Sequence, residues 1–228
     1  MKPQPVIVVL AAGRGSRFAG PRHKLAQDLG DTSVLGRTIG HAIETRLPVL
    51  VVTTEPLAAE AARWVARRDI VLLPEVGQGG GQPLGMGYSI ATGVAARPNA
   101  TGWLVLPGDM PLVQPASLLA VASALEHHPV AYAQHQGRRG HPVGFAAELF
   151  SELVALTGDE GARRVMARYP SVGVELPDTG VLVDVDTEAD LAALRATPPA
   201  APAAPAAPAA SVAPVAPALA AAGGGRRA

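Results

Sequence analysis

Cysteine is absent from the 228 residues. That excludes a disulfide framework, a thiolate metal site and a cysteine nucleophile. No uninterrupted apolar run approaches the roughly 18 residues that a membrane helix needs. The opening Met-Lys-Pro-Gln-Pro runs straight into a strand and lacks the long apolar core and small-residue cleavage site of a secretory signal. A soluble cytoplasmic protein is the expectation. Neither sign of charge is in excess: 19 basic residues face 19 acidic ones. Without Arg226 and Arg227, 17 basic residues remain against 19 acidic ones. Broad nucleic-acid binding needs a basic face, so it is disfavoured. Basic residues are nevertheless dense between Arg14 and Lys24, which suggests a small anionic ligand.

From Thr197 onward the chain is almost entirely Ala, Pro and Gly. Proline breaks helices there and alanine buries little surface, so residues 197–228 are expected to be a disordered tail. Residues 1–196 remain as one domain, enough to bury roughly 70% of the unfolded surface.

Within that domain, Val6 to Ala11 is a continuous apolar run rich in β-branched residues. It reads as a strand buried on both faces. Ser33 caps a helix to about Thr45, and Pro48 to Thr53 is a second strand. Leu57 to Arg68 has helical composition, and Ile70 to Leu73 is a third strand. A glycine-rich loop at Gly77 to Gln82 precedes a helix over Leu84 to Ala96. Trp103 to Leu106 is a fourth strand, followed by a helix over Pro115 to His127. Val130 to His135 and Val143 to Phe145 form a strand pair joined by Gln136 to Pro142. Ala147 to Leu156 and Gly161 to Tyr169 are helices. Val172 to Leu176 and Val181 to Val185 are late strands. A last helix runs from Thr187 to Arg195, with Asp190 placed for a near capping box. Strands alternating with helices predict an α/β fold with a parallel sheet covered on both faces. Ligands then bind beyond the carboxyl ends of the strands.

The loops at that end carry the chemistry. Leu10-Ala-Ala-Gly-Arg-Gly-Ser-Arg-Phe18 follows the first strand. Its glycines let successive backbone N–H groups face anionic oxygens. Arg14, Arg17 and Lys24 add charge-assisted bonds to phosphate. A Walker loop is excluded because no Gly-Lys-Ser/Thr triplet is present. The dinucleotide pattern fails at Phe18, where a third glycine would stand. The nucleotide-binding candidates are Leu10, Ala11, Ala12, Gly13, Arg14, Gly15, Arg17 and Lys24.

Asp109, in Leu106-Pro-Gly-Asp-Met-Pro-Leu-Val113, follows a buried strand and is placed to hold Mg²⁺ beside substrate phosphates. A turn or helix-capping aspartate is the competing reading. Asp184 and Asp186 sit two apart and point the same way if extended. Asp186 is the preferred second metal ligand, against the alternative that both cap the final helix. His141, in Gly140-His-Pro-Val-Gly-Phe145, follows Arg138 and Arg139. It is structural or substrate-binding. His23 and the His127-His128 pair read as surface residues. No histidine spacing suggests zinc.

Together these segments resemble the MobA-like nucleotidyltransferases. The closer similarity is to their molybdenum cofactor cytidylyltransferase branch, over about residues 5 to 195. Gly85 to Val94, Leu106 to Val113, Gly140 to Phe145 and Leu156 to Arg163 are similar to segments of that branch, in the same order. Gly87 departs from it, because the branch usually carries serine there.

The resemblance implies a Rossmann-like three-layer αβα sandwich of the nucleotide-diphospho-sugar transferase type, mostly parallel with one antiparallel strand. It implies transfer of CMP from CTP to the phosphate of molybdopterin carrying molybdenum, with release of pyrophosphate and Mg²⁺ as cofactor. Ser89 and Gly108 join the nucleotide site by the same resemblance. Arg14, Lys24 and Asp109 become the catalytic candidates, and Arg138 and His141 the substrate contacts. A molybdoenzyme of the xanthine dehydrogenase type, or its chaperone, is the implied recipient. The two alanines of Leu10-Ala-Ala-Gly13, where guanylyl-transferring relatives have Ala-Gly-Gly, favour cytosine, with the larger side chain at Ala12 suiting the smaller base. The rivals are a cytidylyltransferase for a sugar or polyol phosphate, a guanylyltransferase, and a non-catalytic carrier of the cofactor. The first usually carries Asp-Ala-Ala-Arg-Pro where this chain has Gly-Asp-Met-Pro.

Overall fold

Val6–Ala11 forms strand β1, and its alternating side chains feed two apolar layers. Ile7, Val9 and Ala11 enter one cluster, and Val6 and Val8 enter the other. The run is apolar throughout because neither face meets water.

The computed structural model describes residues 4–13, 15, 18, 22–74 and 85–196. After β1 come a two-residue pair β2 (Asp28–Leu29) and β3 (Thr32–Ser33), then α1 (Val34–Glu44), β4 (Val49–Thr54), α2 (Glu55–Ala61) and β5 (Ile70–Leu73). The chain continues through α3 (Gly85–Ala95), β6 (Gly102–Pro107), α4 (Pro115–Ala124), β7 (Val130–His135) and β8 (Arg138–Ala146). Then follow α5 (Phe150–Val154), α6 (Arg163–Arg168), β9 (Ser171–Glu175) and α7 (Glu188–Ala196).

Seven strands make one sheet in the order β5-β4-β1-β6-β8-β7-β9. Only β8 is reversed: it pairs antiparallel with β6 and β7, and the other pairs are parallel. The sheet is therefore mostly parallel with one antiparallel strand, as the resemblance implies. Buried residues of α1, α2, α4 and α7 pack on one face, among them Leu35, Leu57, Leu118 and Leu191. Ile90 and Val94 of α3, Leu153 of α5 and Val165 of α6 pack on the other.

Ser33 caps α1, accepting from Gly36 N at 2.9 Å. Its hydroxyl also donates to Glu60 Oε1 of α2 at 2.5 Å. A cap of this kind contributes about 1 kcal/mol.

Several boundaries differ from expectation. Helix α2 stops at Ala61 and not at Arg68, because the chain must turn back before β5 begins at Ile70. For the same reason α4 stops at Ala124, ahead of β7 at Val130. The helix expected over Ala147 to Leu156 is a 3₁₀ turn, Ala147–Leu149, followed by the short α5. The loop expected over Gln136 to Pro142 is a two-residue turn, and β8 starts at Arg138. Gln136 and Gly137 have φ of 50° and 75°, the sign that a tight hairpin turn requires.

Val181 to Val185 is not a strand. Thr179–Leu182 is a 3₁₀ turn, and residues 183–186 after it have no place in the sheet. Val181 and Val185 are fully buried in the core, so their apolar character reflects burial and not ladder pairing.

No helix among the described residues is long and apolar enough to cross a membrane. The expectations for the Gly77 to Gln82 loop and for the 197–228 tail lie outside the described residues.

Candidate active site

The carboxyl ends of β1, β5 and β6 open into a cleft of about 390 Å³. Leu10 lines it from the end of β1, Ala12, Gly13 and Gly15 from the loop after β1, and Lys24 and Leu25 from the turn that follows. Gly85, Met86 and Ser89 contribute from the start of α3, Asp109 from the loop after β6, and Asp159 from the loop before α6. The walls are largely apolar, with charged groups at a few points, as expected of a small-molecule site.

Gly108, between the cleft-lining Pro107 and Asp109, anchors the loop after β6. Its N–H donates to Leu10 O at 2.8 Å, and its carbonyl accepts from Thr38 Oγ1 at 3.0 Å. The loop after β6 is thereby fastened to both β1 and α1. Asp109 stands next in the chain, at the cleft.

Lys24 opens a 3₁₀ turn, Lys24–Ala26. His23 fixes that turn: its Nδ1 accepts from Leu25 N at 3.2 Å, and its Nε2 donates to Gly13 O at 2.9 Å. Both bonds are met by one neutral tautomer protonated at Nε2. His23, read from the sequence as a surface residue, therefore ties the glycine-rich loop to the turn that carries Lys24. Gly15 lies beneath, with φ of 61°, where only glycine is at ease.

Lys24 Nζ donates to Asp109 Oδ2 at 2.6 Å and to Asp186 Oδ1 at 2.9 Å. Its side chain is only 11% exposed. Burial pulls the ammonium pKa down, but the hydrogen bonds and charges of Asp109 and Asp186 outweigh it and hold the pKa above the ordinary 10.5. Lys24 is therefore a fixed cation at neutral pH.

Asp109, Asp184 and Asp186 each offer a carboxylate oxygen, all within 4.8 Å of one another. Hard oxygen ligands so closely grouped fit a divalent cation. From sequence, Asp186 is the preferred second ligand, with a capping role for both aspartates as the alternative. The structure brings both to the cluster and gives the cap to Thr187, whose Oγ1 accepts from Asp190 N at 3.2 Å. Asp190 Oδ2 accepts from Thr187 N at 2.7 Å and from Asp186 N at 3.1 Å. The two-apart spacing of Asp184 and Asp186 was the signal for Asp184.

His141 sits half-buried on β8. Burial lowers its pKa below the ordinary 6.5, and the charges of Asp109 and Asp184 oppose that without reversing it. A neutral imidazole beside the aspartates results.

The other candidates fall as follows. Ala11 is buried, its side chain in the core and its carbonyl accepting from Thr53 Oγ1 at 3.2 Å. Arg138 is exposed at the start of β8 and does not line the described cleft. Its neighbour Arg139 stacks over Tyr132 at 4.1 Å. Arg14 and Arg17 lie outside the described residues. Asp159 was missed, since its segment carried a likeness but no assigned role.

The departure at Gly87 has a steric reason. A Cβ there would meet Thr157 O at 2.7 Å, and Gly87 N donates to Gly158 O at 2.8 Å. The start of α3 and the loop bearing Asp159 are packed backbone to backbone, which leaves no space for serine.

The family model of the MobA-like NTP transferase domain matches residues 7–172. A phosphoenolpyruvate guanylyltransferase of Mycolicibacterium gilvum is 34% identical over 188 residues, 78% of this chain and 84% of that protein. The purine catabolism protein PucB of Bacillus subtilis is 29% identical over 85% of this chain and 97% of its own length. The crystal structure of Rv0371c from Mycobacterium tuberculosis H37Rv superposes with a TM-score of 0.73 at 28% identity, covering 86% of this chain and all of that one. A manganese complex of the same protein superposes with a TM-score of 0.68 at 27% identity, covering 84% of this chain and 97% of that one. With its glycine-rich loop after β1, its single reversed strand and its lysine–aspartate centre, the chain belongs to the MobA-like NTP transferase family, a family of nucleotidyltransferases.

Proposed function

We propose that this protein transfers CMP from CTP to the phosphate of molybdopterin carrying molybdenum, releasing pyrophosphate. The observation that carries nucleotidyl transfer at this cleft is the meeting of Lys24 with Asp109 and Asp186 beneath the glycine-rich loop. A site that only carried a cofactor would not need a buried ammonium beside three carboxylates.

Mg²⁺ is the proposed cofactor, held by Asp109, Asp184 and Asp186. The manganese in the Rv0371c complex supports a divalent cation. When bound, the ion supplies Lewis-acid neutralisation of triphosphate charge. Backbone N–H groups of the loop after β1 face the phosphates, and Lys24, with Arg14 and Arg17, holds the charge of the departing pyrophosphate. An oxygen of the acceptor phosphate bonds to the α-phosphorus while the bond to the β-bridging oxygen breaks, and that electron pair leaves with pyrophosphate. The acceptor is already ionised at neutral pH, so no side chain has to remove a proton. Positioning and charge neutralisation do the work.

Ala11-Ala12 supports cytosine, with the Ala12 side chain narrowing the cleft that it lines. Ser89 and Gly108 complete the nucleotide site, and Arg138 and His141 are the proposed acceptor contacts. Xanthine is a purine, so the name of PucB supports a molybdoenzyme of the xanthine dehydrogenase type, or its chaperone, as recipient. The 34% identity to a phosphoenolpyruvate guanylyltransferase favours a second reading, guanylyl transfer.

Thermal unfolding with CTP, GTP, ATP or UTP and Mg²⁺ separates the two, because a ligand of the native state raises stability by mass action. CTP should give the largest upward shift, together with pyrophosphate release in the presence of molybdopterin. Stabilisation by GTP alone overturns the cytidylyl assignment.

A further inference from the structure

We infer that Asp178 is a positioning residue that holds the aspartate cluster in register, an inference that rests on the metal-site reading of Asp109, Asp184 and Asp186. The cluster is assembled from two segments far apart in the chain. One is the loop after β6, which carries Asp109. The other is residues 178–186, which carry Asp184 and Asp186 and lie outside the sheet, so no ladder of strand bonds keeps them in place.

Asp178 supplies the side-chain rung between the two segments. Its Oδ2 accepts from Gln114 N at 2.9 Å and from Ser117 Oγ at 2.7 Å, both at the start of α4. Its Oδ1 accepts from Gly180 N at 2.8 Å, which turns its own segment inward. Pro115 has no N–H to offer at this corner. The positive end of α4 also favours the carboxylate. Ser117 is 3% exposed, so its hydroxyl has no water to turn to if Asp178 is removed.

Two further contacts lie along the same seam. A Cβ on Gly180 would stand 2.4 Å from Leu112 O, so the backbones touch. Val185 N donates to Asp109 O at 2.9 Å, directly between the two ligand-bearing positions. The far end of the segment is pegged by Asp190, which accepts from Asp186 N and Thr187 N. Asp178 and Asp190 thus anchor opposite ends, and Asp178 is the anchor on the Asp109 side. Residues that orient metal ligands without touching the metal commonly set affinity by ten- to a hundredfold.

The test uses the full chain and Mn²⁺ alone, without nucleotide, with free Mn²⁺ measured by electron paramagnetic resonance. Wild type should bind Mn²⁺, and Asp109→Asn should abolish that binding. Asp178→Asn should weaken it by about tenfold, at a temperature where circular dichroism shows both proteins folded. A residue that merely capped α4 would lower the unfolding temperature and leave the Mn²⁺ affinity alone, and that result overturns the inference. If Asp178→Asn does not fold, Ser117→Ala takes its place, since it keeps the carboxylate and deletes one donor. A loss of about two- to threefold is expected there, and unchanged affinity overturns the inference. Absence of Mn²⁺ binding in wild type defeats the metal-site reading itself, and the inference with it.

Discussion

Lys24 Nζ lies 2.6 Å from Asp109 Oδ2, across 85 positions of sequence. One comes from the turn after the glycine-rich loop, the other from the loop after β6. The parallel pairing of β1 with β6 brings those two loops to the same end of the sheet. The contact places opposed charges beside the glycine-rich loop, the arrangement that the proposed phosphoryl-type chemistry requires.

Asp109→Asn keeps the shape of the side chain and removes its charge. Turnover should fall about a hundredfold or more. Lys24 keeps Asp186 as a partner, so the unfolding temperature should move by only a few degrees. Near-normal pyrophosphate release from the variant would remove Asp109 from the metal role.

Lys24→Ala deletes the cation that faces Asp109 and Asp186. Triphosphate affinity should drop by about tenfold or more, the value of a charge-assisted hydrogen bond. Three carboxylates within 4.8 Å then repel one another in metal-free protein. Added Mg²⁺ should therefore raise the unfolding temperature of the variant by more than that of wild type. Equal shifts, with unchanged nucleotide affinity, would count against this reading of Lys24.

Glu60 links α2 to the cap of α1. Burial alone would raise its pKa, but the hydrogen bonds from Ser33 Oγ and Arg63 outweigh burial and hold it below the ordinary 4.5. A depressed carboxylate contributes stability above its unfolded pKa and loses it as pH falls through the folded value. Glu60→Gln should cost about 1 kcal/mol near pH 7, a cost that shrinks as pH drops below 4.5. Urea unfolding of both proteins at pH 7 and pH 3.5 checks this. A difference that grows in acid would contradict it.

Gly87→Ser installs the residue usual in the cytidylyltransferase branch. Its Cβ would be forced to 2.7 Å from Thr157 O. Overpacking of this order costs about 1–3 kcal/mol, and the loop carrying Asp159 must yield. Lower stability together with altered nucleotide affinity is the expected pair of results. A variant as stable as wild type would show that this loop gives way freely.

Much of the fold was legible because buried parallel strands leave a plain mark. The runs Val6 to Ala11, Val49 to Val52, Ile70 to Leu73 and Trp103 to Leu106 are apolar, and each lies in a strand. Helix ends were read less well. Ala62 to Val65 have helical composition, yet the chain turns there because β5 must start at Ile70. Val181 to Val185 misled for a related reason, since a β-branched run reports burial and is silent on whether a strand is available to pair with.

By itself the sequence pointed to the loops after β1 and β6, where glycine, lysine and aspartate follow buried strands. It named Lys24, Asp109 and Asp186 separately. Only the tertiary structure decided that the three meet, that Asp184 joins them, and that His23 and Asp178 fasten the segments which carry them. Those relations depend on sheet order and on backbone contacts such as Val185 N to Asp109 O. Local composition fixes neither, because each pairs residues that are distant in the chain.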